Sequence, residues 1–258
     1  MMNLNPPVTS WQNKRIWLIG ASSGIGLALA EKLAAQKATV IVSARNRAAL
    51  DAFVNKHPGC LALPLDVSQP ETLTQALDTL ASSIGCPDLV CYCAGHYKPL
   101  RATEYHLEEM LHHQQINVTG LLHLLDRLIP MMLEQGHGHI SLISSVAGFR
   151  GLPKSLAYGP TKAALINLAE CLYLDLHDRG LGISLINPGF VQTPLTAQND
   201  FSMPGLIAPE QAAAHILAGW EKGRFHIDFP KKFTLVMRLL RILPYPLYFR
   251  LVRKITGL

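Results

Sequence analysis

Residues 15–26 read RIWLIGASSGIG, a short apolar run that leads directly into a turn containing three glycines. The apolar run at 15–19 predicts a buried strand, and the alanine- and leucine-rich stretch that follows predicts a helix to about Gln36. A second apolar, β-branched run at 39–44 closes a β-α-β unit. Glycines placed in this way allow a tight turn and let the backbone approach a pyrophosphate at the helix N-terminus. The stretch therefore predicts a nucleotide site, and an ordinary tight turn is the alternative.

The same alternation of strand and helix continues outward from this unit. Strands separated by helices imply a parallel sheet that is covered on both faces. The fold class predicted is α/β, with a single doubly wound, Rossmann-like domain over residues 14–228. Residues 193–209, rich in proline, glycine and polar side chains, predict a loop or mobile lid. The further predicted strands are at 61–65, 88–93, 139–144 and 182–187, and the further predicted helices are at 47–56, 71–83, 104–134 and 156–179.

Composition narrows the class of protein. The chain has 258 residues, of which 49% are hydrophobic and 16% charged, so it can bury one large core. Residues 1–13 predict a flexible arm without the apolar segment of a signal peptide, and we therefore expect a cytoplasmic location. None of the eleven histidines has a convincing metal-ligand spacing, so no metal is predicted. Basic and aromatic residues are not interleaved, which disfavours a nucleic-acid partner.

The end of the second predicted strand indicates which dinucleotide is bound. It reads Ser43-Ala44-Arg45-Asn46-Arg47, with no acidic residue. A free ribose 2′-hydroxyl usually meets a carboxylate at this point, whereas a 2′-phosphate needs a cation. Arg45 therefore favours NADP(H) over NAD(H), and a solvated loop arginine is the alternative. Asp66, which ends the third strand, either accepts from the adenine amino group or caps the next turn.

Three side chains suggest acid-base chemistry. Tyr158 and Lys162 are four residues apart on a predicted helix and so share one face. An ammonium close to a phenol lowers the phenol pKa, and the pair can then pass a proton to or from a substrate oxygen. Ser145 ends the preceding strand and brings a hydroxyl to the same edge of the sheet. A tyrosine and a lysine four residues apart are also common in helices that have only a structural role. The surrounding motifs must therefore distinguish a catalytic pair from a structural one.

In this setting the sequence resembles the short-chain dehydrogenase/reductase family over about residues 14–193. The resemblance implies that Tyr158 is the acid/base, that Lys162 lowers its pKa and holds the nicotinamide ribose, and that Ser145 polarises the carbonyl. Asn117 would kink the long helix so that its backbone joins a proton relay, and an asparagine that bonds locally within the helix is the alternative. The matching motifs are Gly20, Gly24 and Gly26, Asp66-Val67, Ala94-Gly95, Asn117, Ser144-Ser145, Tyr158 with Lys162, and Asn187-Pro188-Gly189 followed by Thr193.

The resemblance also implies the cofactor contacts, and it has three departures. Ile19 replaces the usual threonine before the first glycine, and Tyr92-Cys93 replaces an Asn-Asn pair. Pro160 stands between Tyr158 and Lys162, where it is tolerated only in a first helical turn. The implied cofactor-binding residues are Gly20, Ser22, Ser23, Gly24, Ile25, Gly26, Arg45, Asp66, Val67, Ala94, Gly95, Asn117, Tyr158, Lys162, Pro188, Gly189, Val191 and Thr193.

Residues 229–258, called the tail below, differ from the rest of the chain. The tail has seven basic residues and no acidic one, which more than accounts for the net charge of +5. Its two amphipathic stretches are each too short to span a bilayer, which needs roughly 20 residues. One interpretation places them in a membrane interface, with Tyr245, Tyr248 and Phe249 in the acyl boundary. The other packs them on the substrate pocket or on a second subunit. The predicted polar stripe consists of Lys231, Thr234, Arg238 and Arg241 on the first stretch, followed by Arg250, Arg253 and Lys254 on the second.

Together these patterns predict an NADPH-dependent oxidoreductase that transfers a hydride between nicotinamide and a carbonyl or secondary alcohol. Because either arrangement of the tail makes the mouth of the site apolar, we expect a hydrophobic or lipid-like small molecule as substrate. The further predicted partners are the inner face of a membrane and other copies of the chain in a dimer or tetramer. A non-catalytic NADP(H)-sensing or scaffold module is the alternative, which the intact Ser145, Tyr158 and Lys162 disfavour.

Overall fold

A parallel sheet runs through the computed structural model, which describes residues 3–257. Within this range the strands are β1 Arg15–Ile19, β2 Thr39–Ser43, β3 Leu61–Ala62, β4 Leu89–Tyr92, β5 Gly138–Ile143, β6 Leu181–Pro188 and β7 His226–Phe229. Their order across the sheet is β3-β2-β1-β4-β5-β6-β7, and every neighbouring pair is parallel. This confirms the doubly wound, Rossmann-like prediction. β3 is shorter than predicted, and β7 was not predicted, because His226 and Asp228 interrupt its apolar pattern.

Helices cover both faces of the sheet. In the described residues they are α1 Gly24–Ala35, α2 Arg47–Lys56, α3 Pro70–Ser83, α4 Leu107–Gln114, α5 Gly120–Gln135, α6 Tyr158–Leu176, α7 Pro209–Glu221, α8 Lys231–Ile242 and α9 Tyr245–Thr256. The helix predicted at 104–134 is two helices, α4 and α5, which a π turn at Gln115–Thr119 separates. α7 was not predicted. The predicted boundary between residues 228 and 229 falls within β7, whereas the two tail stretches form helices as predicted.

The core has two apolar layers because successive strand residues point to opposite faces. Trp17 and Ile19 of β1 pack with α3, α5 and α6 on one face. Ile16 and Leu18 pack with α1, α2 and α7 on the other. By length and composition alone the stretch Leu107–Gln135 is apolar enough to cross a membrane, but its buried leucines belong to the first of these layers.

The N-terminal arm is packed against the domain over part of its length. Asn5 is buried, and its side chain donates to the carbonyl of Ile183 at 2.8 Å and accepts from the amide of the same residue at 3.0 Å. Trp11 is also buried, with its ring centroid 5.8 Å from that of Trp220. The prediction of a flexible arm therefore does not hold for these two residues, because each has specific partners in the core.

Three residues of the tail's polar stripe contact the protein through one carboxylate. Thr234 is fully buried and donates to Asp228, a carboxylate whose side chain is 2% exposed. Lys231 and Arg238 also reach Asp228, the latter at 3.0 Å. Tyr248 of α9 is buried and donates to the carbonyl of Gly151, so its predicted place in an acyl boundary is wrong. Asp228 therefore draws Lys231, Thr234 and Arg238 toward the protein, whereas Arg250 and Lys254 of the stripe are exposed.

Candidate active site

A cleft of ≈ 450 Å³ opens at the carboxyl edge of the sheet, between the ends of β1, β4, β5 and β6. All of the catalytic and cofactor-binding residues predicted from the sequence line this cleft except Asn117. The topology of the sheet explains why these residues meet in one cleft. Carboxyl ends of parallel strands share one edge, and the chain leaves β1 and β4 in opposite directions, which opens a crevice at that point.

The glycine turn forms the floor of the cleft. Gly20 has φ +94°, and a Cβ there would lie 2.5 Å from the backbone nitrogen of Ala94. Its amide donates to the carbonyl of Ser43 at 2.7 Å, which fixes the turn, and Ile19 is buried without disturbing it. α1 follows with no acidic residue in its first turn and no side-chain cap from Ser23. Its first amides and positive dipole end are therefore suited to an anion.

Ser145, Tyr158 and Lys162 come together on the opposite wall. The Ser145 and Tyr158 hydroxyls are hydrogen-bonded to each other. Lys162 donates to the carbonyl of Ile143 at 2.9 Å, and its Nζ lies 5.4 Å from the centroid of the Tyr158 ring. Pro160 lies in the first turn of α6, as its missing amide hydrogen requires.

The predicted lowering of the Tyr158 pKa does not occur in this structure. Burial raises the Tyr158 pKa well above its usual value, and the hydrogen bond from Ser145 opposes that rise. The Lys162 ammonium lies over the ring and is bonded to a carbonyl instead of to the phenol oxygen. Burial also lowers the Lys162 pKa to about 8. Tyr158 is therefore a protonated phenol at neutral pH, which suits it to donate a proton.

The side chain of Asn117 links two segments of the chain behind the cleft. Its Oδ1 accepts from the amide of His96 at 2.7 Å, and its Nδ2 donates to the carbonyl of His96 at 3.0 Å and to Thr161 at 2.9 Å. These bonds tie the segment after β4 to α6. The backbone of Asn117 lies in the π turn, as the implied kink requires, and its place in a proton relay stays a prediction.

Tyr92 accounts for one departure from the family pattern. It is buried, and its hydroxyl donates at 2.6 Å to the carbonyl of Ile116, which belongs to the π turn. Backbone groups in a π turn are partly released from the α-helical ladder. Tyr92 thus supports from β4 the turn that holds Asn117. Cys93, the second replaced residue, lines the cleft.

The remaining predicted contacts lie around the rim. Arg45 is exposed at the end of β2, and Asp66 uses Oδ1 to accept from the amide of Ser68 at 2.9 Å. Asp66 therefore caps its turn and lines the cleft at once, so the two alternatives are compatible. The predicted loop at 193–209 contains a short 3₁₀ turn, Thr196–Gln198, and the amide of Gln192 next to it donates to Ile207 at 2.9 Å.

Several residues of the cleft were missed from the sequence. Tyr97 packs edge-on against Tyr158 with centroids 5.0 Å apart, and its hydroxyl donates to Asn199 at 2.9 Å. The sequence clue to the missed residues was their position, because they stand directly after strand ends or beside predicted site residues. The missed lining residues are Ile19, Ala44, Asn46, Leu65, Cys93, His96, Ile116, Ile143, Ser144, Pro194, Leu195 and Thr196.

His96, Glu109 and His113 form a cluster near the cleft that sequence spacing did not reveal, with ligand atoms within 4.8 Å of one another. Nε2 of His113 accepts from the amide of Lys98 at 3.1 Å, so its Nδ1 carries the proton and donates to the carbonyl of Glu109 at 2.8 Å. Because a metal needs an unprotonated nitrogen, this arrangement favours a hydrogen-bond network over a metal centre.

The chain is similar to proteins of known class. The model of the short chain dehydrogenase family matches residues 14–202. An uncharacterised oxidoreductase of Myxococcus xanthus is 33% identical over 240 residues, which cover 92% of this chain and 95% of the relative. A short-chain dehydrogenase structure from Streptomyces avermitilis has a TM-score of 0.78 at 26% identity, covering 88% of this chain and 93% of the other. A Burkholderia cenocepacia short chain dehydrogenase, solved in complex with NADP, shares the fold with a TM-score of 0.83 at 20% identity, covering 94% and 99% of the two chains.

Proposed function

This chain belongs to the short chain dehydrogenase family, and we propose that it is an NADPH-dependent reductase of hydrophobic carbonyl compounds. Membership of this family means that the protein is an oxidoreductase that uses a nicotinamide cofactor. The observation that carries the proposal is the hydrogen-bonded pair of Ser145 and Tyr158, with Lys162 beside it, facing the glycine turn across one cleft.

The residues of the cleft fit a nicotinamide dinucleotide. The amides at the start of α1 would hold the pyrophosphate, because the first turn has no acidic residue and Ser23 does not cap it. When bound, the cofactor supplies or accepts a hydride. Ser145 would donate a hydrogen bond to the carbonyl oxygen, and Tyr158 would deliver the proton to that oxygen. At neutral pH the phenol of Tyr158 carries the proton that this step requires, because burial keeps its pKa above the usual value.

Preference for NADPH is supported by the end of β2. Arg45 lies on the cleft there, next to Asn46, and no carboxylate stands among residues 43–47. A guanidinium matches the geometry of a phosphate, and a carboxylate at this place would repel it.

A hydrophobic substrate is supported by the aromatic residues beside the cleft. Phe190 packs on Phe201 and on Phe233, with centroids 6.0 and 5.5 Å apart. Phe233 belongs to α8, and its ring would contact a Cβ placed on Gly189. The tail thus forms part of the apolar surroundings of the site. An apolar substrate would enter these surroundings at little cost in free energy.

We further propose that the protein works in the cytoplasm as a dimer or tetramer, with a membrane surface among its partners. Exposed leucines on α4, α5 and α6, namely Leu111, Leu122 and Leu174, support self-association.

The test is NADPH oxidation across a series of ketones of increasing alkyl length. We expect turnover that rises with chain length and is lost in Tyr158→Phe, which keeps the ring and removes the proton. Tyr173→Phe makes the same change far from the cleft, where the hydroxyl donates to Leu4, and should retain turnover. Tight NADPH binding without turnover of any ketone would favour the sensing module instead.

A further inference from the structure

α8 has apolar side chains on two of its sides. Met237 is buried in the core, with Phe233 and Leu240 packed against the same cluster, and Asp228 binds the polar Lys231, Thr234 and Arg238. Leu235, Val236, Leu239 and Ile242 of α8 are nevertheless all exposed, the last by 76%. An ordinary surface helix buries its apolar face and leaves polar residues on the opposite side, so a second, exposed apolar side is unusual.

The apolar surface continues onto α9. Tyr245 is 67% exposed and stacks on Phe249, with centroids 5.6 Å apart, and Ile255 is 70% exposed. Half of the exposed large hydrophobic residues of the described chain lie in these two short helices. We call this surface the outer face. It comprises Leu235, Val236, Leu239, Ile242, Tyr245, Leu247, Phe249, Leu251 and Ile255.

The outer face is held rigidly beside the entrance of the cleft. Arg150, which lies between Ser145 and Tyr158 in the chain, donates to the carbonyls of Leu240 and Arg241 at 3.1 Å each. Its guanidinium also lies over the rings of Tyr245 and Tyr248, 4.6 and 4.1 Å from their centroids. Whatever binds the outer face therefore has a fixed position relative to the active site.

The charges around the outer face indicate its partner. Lys232, Arg250 and Lys254 are exposed along it, and the tail contains no acidic side chain to oppose them. A second copy meeting this face across a two-fold axis would bring cations against cations. An anionic lipid surface instead offers negative head groups to the cations and acyl chains to the apolar side chains.

We propose that the outer face docks on an anionic lipid bilayer, with α8 and α9 lying in its interface and the cleft opening beside it. The consequence is that lipid-soluble carbonyl compounds reach Tyr158 from the bilayer. This consequence rests on the proposed function. Neither helix spans the membrane, because each has only 12 residues.

The experiment is flotation of the full-length protein with vesicles of phosphatidylcholine and phosphatidylglycerol, compared with phosphatidylcholine alone. We expect binding to the anionic vesicles that weakens with salt. The double variant Leu239→Glu/Ile242→Glu should lose at least tenfold in binding, whereas Leu61→Glu, at the 39% exposed leucine of β3, should bind as the parent does. Replacing Lys232, Arg250 or Lys254 by glutamine should cost about fivefold each.

The variants are checked for folding by thermal unfolding and NADPH binding, both of which should match the parent. Failure of the parent to float with anionic vesicles would overturn the proposal, as would undiminished binding by the double variant. Self-association that the double variant abolishes, without vesicle binding, would assign the outer face to a second copy instead. Flotation needs no substrate, so its failure leaves the proposed reductase standing, and absence of turnover leaves the docking result standing.

Discussion

The glycine turn after β1 and the tail after β7 both follow sheet strands directly, yet they relate to their sequences in opposite ways. In the turn, Gly20 is required by its own backbone and by the adjacent Ala94, so residue type and structure correspond locally. In the tail, the pattern of α8 shows where its polar residues lie, and the buried Asp228 fixes that Thr234 and Arg238 turn toward it while Met237 enters the core. A conformational requirement can therefore be recognised in the residue itself, whereas the packing of an amphipathic helix depends on the groups that it contacts.

A substitution in the glycine turn should cost the most stability, because the requirement for glycine there is local. Gly20→Ala places a methyl group against the Ala94 backbone at a φ of +94°. We expect a loss of about 3–5 kcal/mol in unfolding free energy, from the left-handed conformation and from overpacking together. Gly59→Ala is the matched control, since its φ is +92° with nothing within 4 Å, and should lose about 1–2 kcal/mol. Equal losses in chemical denaturation would mean that contact with Ala94 does not matter.

The next effect tests the tail. Asp228→Ala removes the carboxylate that Lys231, Thr234 and Arg238 share, and we expect a loss of about 2–4 kcal/mol in unfolding free energy. Asp200→Ala breaks an ion pair with Lys154 in which Asp200 is largely exposed, and should change stability little because solvent screens the pair. If thermal unfolding shows the two variants to be alike, Asp228 does not set the orientation of α8.

A smaller effect concerns the cofactor. Arg45→Ala should weaken NADPH binding by about 1.5–3 kcal/mol, the contribution of a hydrogen bond to a charged group, and leave NADH binding nearly unchanged. Arg47→Ala is the control, because Arg47 lies 3.6 Å from Asp51 on α2 and does not line the cleft. Titrations in which NADPH and NADH weaken equally in Arg45→Ala would contradict a 2′-phosphate contact.

The smallest effect is a pH dependence. Burial lowers the Lys162 pKa to about 8, so the ammonium is present below that pH and is lost as the pH rises through it. We therefore expect kcat/KM to fall above about pH 8, approaching tenfold per pH unit. Lys162→Arg keeps its charge over this range, and any activity that it retains should show no such fall. A flat profile for the parent enzyme would show that the charge on Lys162 is not needed.

Much of the cleft could be predicted, because each sequence pattern that indicates it spans only a few residues. The strand before Gly20, the helix after it and the cleft positions of Ser145, Tyr158 and Lys162 follow from short patterns and their order. The raised pKa of Tyr158 could not be predicted in this way, because it depends on how deeply the ring is buried. Tyr97, His96 and the support of the π turn by Tyr92 were missed for the same reason, since their partners are distant in the chain.

The sequence was sufficient for the alternation of strands and helices as far as β6, for the parallel sheet, and for the residue types that can bind a dinucleotide and a carbonyl compound. Strand periodicity, glycine conformation and four-residue helical spacing are short-range properties, and they need no knowledge of the rest of the chain. Tertiary contacts alone fix that the arm is anchored through Asn5 and Trp11, that burial raises the Tyr158 pKa, and that α8 leaves an apolar side exposed although its Met237 is buried. These outcomes depend on burial and on partners far away in sequence, and on which contact offers the lower free energy.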